Sequence, residues 1–168
     1  MSQLKEVQAS MGAIVFSFQQ LEYQLMEILV ALIDQPTLEL LKSLKTKFEF
    51  GRSLTIIMKI AERRIPDENM LKELKTIVEK AGKFADQRNV LLHSHYHVTD
   101  SSPERLTIEL SPTRLRGGTN PRETLNPEVL FQLAEEMGKT VHEAETYYQD
   151  LMNYLHVTTQ RRKPTGMK

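Results

Sequence analysis

Ile14-Val15-Phe16-Ser17-Phe18-Gln19-Gln20-Leu21-Glu22-Tyr23-Gln24-Leu25-Met26-Glu27-Ile28-Leu29-Val30-Ala31-Leu32 is the stretch whose reading decides the fold. Ile14, Phe18, Leu21, Leu25, Ile28 and Leu32 return at alternating spacings of four and three, which lines one face of an α-helix. Gln19, Gln20, Glu22, Gln24 and Glu27 interrupt the apolar run between Met11 and Ile33. A membrane span needs a continuous apolar segment, so this pattern is an amphipathic helix that buries one stripe against protein.

Reading outward from that stretch gives more of the same. Asp34 and Pro36 break the first helix, and Leu38, Leu41 and Leu44 resume the pattern. Leu54, Ile57, Met58 and Ala61 carry it on beyond an irregularity expected at Gly51. Pro66 ends this segment, and Asp67 suits the N-cap of the next, because its carboxylate can accept from free N–H groups of the first turn. Leu71, Leu74, Val78, Ala81 and Ala85 mark a third long helix running into the low nineties. Asn126-Pro127 pairs a cap with proline at the first helical position, opening a helix that carries Leu130, Leu133, Met137, Val141, Ala144, Tyr148, Leu151 and Leu155.

One interval has another period. Tyr96 and Val98 alternate with His95 and His97, and Leu106, Ile108 and Leu110 alternate beyond an Asp-Ser-Ser-Pro turn signal at Asp100 to Pro103. Ser111 to Leu125 then reads as a mobile basic loop carrying Arg114, Arg116 and Arg122. The expected fold is therefore all-α: a bundle of four to five helices with a small β-hairpin inserted before the last long helix. The expected organisation is one helical domain over residues 1–157 and a basic, disordered tail over 158–168.

Composition narrows the function classes. The 168 residues include no cysteine, which excludes a disulfide scaffold, a thiolate zinc site and a cysteine nucleophile. Lys plus Arg equals Asp plus Glu at 22 each. A protein that coats nucleic acid without specificity needs a basic excess, so any such role must rest on a local site or on a surface made by assembly. With no secretory pattern in the first ten residues, a cytoplasmic location is expected.

Helix phase singles out Arg88. Ala81 lies seven residues earlier, a spacing that returns to within ~20° of the same face. Ala85 and Leu92 flank it at three and four, so Arg88 stands on the apolar stripe where a leucine would be expected. A buried guanidinium needs an anion or water, and two outcomes fit: a salt bridge to a carboxylate such as Glu22, or a site for an external anion. Asn89 and His93, four apart, are neighbours on the helix surface. Arg88 and His93 differ by about 140° on an ideal helix of 3.6 residues per turn, too wide to meet on one ligand. Either the helix ends near His93, or two copies of the segment face each other in a dimer. A histidine at a helix end can equally be a packed or capping residue.

Arg88-Asn89-Val90-Leu91-Leu92-His93, late in a helix of an all-helical chain, resembles the Arg-polar-x-x-x-His signature of the HEPN superfamily. Phe18 to Leu25, with Leu21-Glu22 inside it, resembles the opening of small stand-alone bacterial members. The resemblance covers Met11 to Leu155, with the hairpin and basic loop as an insertion. Small members of this kind follow the histidine with glycine and an aromatic residue. Here Ser94 replaces the glycine and Tyr96 stands in for the aromatic.

The resemblance implies metal-independent RNA cleavage at a homodimer cleft, in a toxin–antitoxin or phage-defence setting, with an antitoxin protein as a further partner. It also implies the alternative of a non-catalytic dimeric module that binds nucleotide, RNA or protein. Imidazole can take or give a proton at neutral pH, and guanidinium can hold a phosphate bidentately. The catalytic candidates are His93 as acid/base group, Arg88 as phosphate clamp and Asn89 as the positioning residue. His95, Tyr96, Arg114 and Arg116 are candidate substrate contacts. No cofactor, metal or membrane is expected.

Rival constellations are weaker. His95 and His97 on one strand face could chelate a metal, but the sequence offers no evident acidic partner. His142 and His156 are nearly in phase yet about 21 Å apart along the helix axis. Gly117-Gly118 lacks the flanking lysine and helix start of a phosphate loop. Tyr147, Tyr148 and Tyr154 read as core and interface aromatics.

Overall fold

In the computed structural model the described residues are 3–33, 37, 49–102, 105–112, 123–124 and 126–161. They form four helices: α1 (Gln3–Leu32), α2 (Phe50–Arg64), α3 (Glu68–Leu92) and α4 (Pro127–Arg161). A small sheet sits between α3 and α4, built from β1 (Ser94–Ser102), β2 (Arg105–Pro112) and β3 (Glu123–Thr124). The molecule is an all-α bundle carrying this insertion.

The expected stripe of α1 is the centre of the core. Ile14, Phe18, Leu21, Leu25, Ile28 and Leu32 are all buried. They meet Ile57 and Ala61 of α2, Leu74, Val78 and Ala81 of α3, and Met137, Ala144, Tyr147 and Leu151 of α4 in one cluster. α1 and α4 share the most extensive packing, as their lengths of 30 and 35 residues allow.

The caps follow the sequence. Asp67 accepts from the backbone N–H groups of Asn69 at 2.9 Å and Met70 at 3.1 Å. Asn126 accepts from the N–H of Glu128 at 2.9 Å. At the far end of α2, the N–H of Ile65 donates to the Ala61 carbonyl at 2.8 Å. Gly51 falls in the first turn of α2 and opens the helix instead of interrupting it.

Three boundaries differ from expectation. The hairpin turn lies later than Asp100, because Asp100, Ser101 and Ser102 still pair with Thr107, Leu106 and Arg105 beyond a register shift after Val98. The bulge leaves one residue of β1 unpaired and the polar run beyond it continues the ladder, so turn-like composition alone misplaces the turn. Second, Ser111 and Pro112 belong to β2, and Glu123–Thr124 adds a third strand opposite Glu109 and Leu110. Third, α4 runs on to Arg161, past the boundary expected at 157. The expected helical pattern at Leu38, Leu41 and Leu44 and the arginines Arg114, Arg116 and Arg122 lie outside the described residues.

Candidate functional site

The site is built on the last turns of α3. The buried series Leu74, Ile77, Val78, Ala81, Phe84 and Leu91 runs along this helix, and Arg88 falls within it between Phe84 and Leu91. Arg88 is correspondingly half-buried. Its guanidinium carbon lies 5.4 Å from the ring centroid of Phe18 on α1, within cation–π range. Phe18 in turn packs edge to face on Phe50 of α2, with ring centroids 5.0 Å apart and planes at 62°. One aromatic pair thus joins three helices beneath the arginine.

Arg88 Nη1 donates to Asn89 Oδ1 at 3.0 Å. Its Nε is buried and has no hydrogen-bond acceptor among the described residues. The carboxylate of Glu22, one of the two outcomes that phase allowed, does not pair with Arg88. Among the described residues the guanidinium has no carboxylate partner; a ring face and a neutral amide hold it instead. Since Asn89 accepts through its oxygen, its amide N–H groups remain to donate outward.

The helix stops at His93, whose backbone turns to φ −107 and ψ 16. The last four carbonyls of a helix lack intrahelical partners. Here His93 N–H donates to the Asn89 carbonyl at 3.0 Å, the Ser94 hydroxyl donates to Val90 and the Tyr96 hydroxyl donates to Leu91. Ser94 and Tyr96 therefore seal the end of α3 and lock where His93 leaves it. Burial raises the Tyr96 hydroxyl above the ordinary phenol range, which keeps it a donor.

The structure brings Arg88 and Asn89 together through side chains, and Asn89 and His93 through backbone. His93 and His95 are exposed next to this helix end. β2 touches both α1 and α3, so the sheet leans on the end of the bundle that carries the site. Val90 and Leu92 are exposed apolar residues on either side of Leu91. No group of three or more His, Asp or Glu placed to hold a metal occurs among the described residues.

Sequence reasoning did not find Phe18 as the platform for Arg88. The signal was present, since Phe18 is an aromatic residue on the inward stripe of α1, but which residue of a facing helix meets Arg88 is a matter of helix crossing. Comparison with protein-family profiles, curated proteins and solved structures returned no match. No described helix is long and apolar enough to cross a membrane.

Proposed function

We propose that the chain is a cytoplasmic, metal-independent endoribonuclease of HEPN type, acting as a homodimer. The observation that carries this reading is Arg88: a half-buried guanidinium on an apolar stripe, held by Phe18 and Asn89 and without a described carboxylate. A purely structural arginine at such a position would be neutralised within the chain, whereas this one keeps its charge for an anion. Asn89 and His93 complete the set at the surface, at a helix end held by Ser94 and Tyr96.

The step is a transesterification. His93 takes the proton of the ribose 2′-hydroxyl, and the 2′-oxygen bonds to phosphorus. The bond from phosphorus to the 5′-oxygen breaks, and that oxygen leaves with the proton returned by the His93 imidazolium. Arg88 stabilises the charge gathering on the phosphoryl oxygens, and Asn89 orients the phosphate. The products are a 2′,3′-cyclic phosphate and a 5′-hydroxyl. Toxin–antitoxin or phage defence is the proposed setting, with an antitoxin protein as the regulating partner.

The test is cleavage of single-stranded RNA in EDTA, with end-group analysis of the products. Arg88→Ala and His93→Ala, each shown by circular dichroism to fold, are expected to lower the rate by at least about 10²-fold. Folded variants that cleave at the wild-type rate overturn the assignment. RNA bound tightly but never cut by the wild-type protein assigns the chain to the non-catalytic binding alternative.

A further inference from the structure

A cleft of about 320 Å³ opens between α1 and α2, in the size range of small-ligand sites. Among the described residues its wall includes the Phe50 ring, Tyr23, Gln19 and Glu22, with Ser53 and Ile57 also lining it. Phe50 is the ring that packs on Phe18, and Phe18 carries Arg88. The cleft is thus two ring contacts from the guanidinium. Glu22 stands four residues after Phe18, about 6 Å further along α1. Its carboxylate makes no ion pair with a described residue.

We infer that this cleft is the pocket for a nucleobase bearing an exocyclic amine (adenine, cytosine or guanine), on the nucleotide whose phosphate Arg88 holds. The inference rests on the ribonuclease reading for its phosphate and on the cleft alone for its base. Charge complementarity selects the occupant. A nucleotide presents an anion at one end and, on these three bases, an amine donor at the other. The protein presents the Arg88 cation on one side of the Phe18–Phe50 pair and the Glu22 carboxylate with the Gln19 amide in the cleft on the other. Carboxylate and carboxamide side chains accept from such amines, as they do when reading bases. Phe50 and Tyr23 supply the aromatic surface on which a base stacks. Uracil, with carbonyl oxygens where the other bases carry the amine, would face the Glu22 carboxylate acceptor to acceptor.

The experiment titrates the full-length protein with adenosine, AMP, uridine and UMP, following the aromatic resonances of Phe50 and Tyr23 by NMR, and uses Glu22→Ala beside the wild type. Glu22 is an exposed position on α1, so alanine there keeps the helix. AMP is expected to bind about tenfold more tightly than UMP, and Glu22→Ala to remove that difference. Adenosine, which has no phosphate, should shift the same resonances, and Arg88→Ala should weaken AMP but not adenosine. Equal affinities for AMP and UMP, or no shift of Phe50 and Tyr23 at millimolar nucleoside, overturn the pocket. RNA cleavage with unchanged base preference in Glu22→Ala overturns the pocket while leaving the ribonuclease standing. Selective adenosine binding without any RNA cleavage leaves the pocket standing and overturns the ribonuclease.

Discussion

Tyr147 on α4 has no exposed surface, and its hydroxyl finds no hydrogen-bond partner among the described residues. Its ring fills the core while its polar atom adds a desolvation cost. Burial raises the phenol far above its ordinary value of 10.0, and the charges of Glu73 and Asp67 add to the rise. A raised acid is held neutral in the folded protein, so its contribution to stability is complete below pH 10. It is lost as pH rises above that, because the unfolded chain then sheds its proton first. Tyr147→Phe is expected to stabilise the protein by about 1 kcal/mol at neutral pH, since an unsatisfied buried hydroxyl disappears. Urea unfolding should also lose the part of its decline above pH 10 that Tyr147 causes. A destabilised Phe variant would mean that the hydroxyl has a partner. Arg88 also has a buried atom without a partner among the described residues, its Nε, but its Nη1 reaches Asn89 at the surface. Its position on the stripe was legible from Ala81 and Ala85, seven and three residues earlier, whereas Leu92, expected on the same stripe, is exposed and Leu91 takes its place. The contact of Arg88 with Phe18 was not legible, because spacing within one helix says nothing about the next.

At the scale of elements, helix starts were the most legible features. Asp67 and Asn126 act through hydrogen bonds to residues two and three positions on, and such local chemistry is written in consecutive residues. Asp67→Ala removes both of its acceptances and is expected to cost about 1 kcal/mol. For a chain of this size that lowers the thermal midpoint by about 2–4 °C. An unchanged melting curve would show that water replaces the cap without loss. The end of α3 was harder to read. It depends on Ser94 and Tyr96 turning back onto Val90 and Leu91, which links a strand to a helix. Ser94 thus has a local purpose, because its hydroxyl caps the helix end where a glycine could not. The hairpin was legible as alternation, but its register was not, since the shift between Val98 and Asp100 is settled by strand pairing.

For the whole molecule, the separation of Arg88 from His93 has a direct consequence. Arg88 is anchored inward on Phe18, while His93 leaves the helix end as an exposed residue. In the proposed dimer each reaction centre takes Arg88 from one protomer and His93 from its partner. Mixing Arg88→Ala with His93→Ala protein and allowing subunits to exchange is then expected to restore cleavage. Each mixed dimer holds one centre with both groups intact and one with neither. No recovery, with exchange demonstrated by sedimentation of tagged chains, would place both groups of a centre in the same protomer.

The sequence by itself determined the helix faces, the caps at Asp67 and Asn126, the alternating insertion before the last helix and the place of Arg88 on a buried stripe. These are properties of period and of hydrogen bonds spanning a few residues, so one segment contains them. Tertiary structure alone decided that Arg88 rests on Phe18 instead of pairing with Glu22, that Phe50 backs that ring, and that Glu22 is left facing a cleft. The physical reason is that these contacts depend on where α1, α2 and α3 cross. Crossing is set by how all the stripes pack at once, and no single segment carries that information.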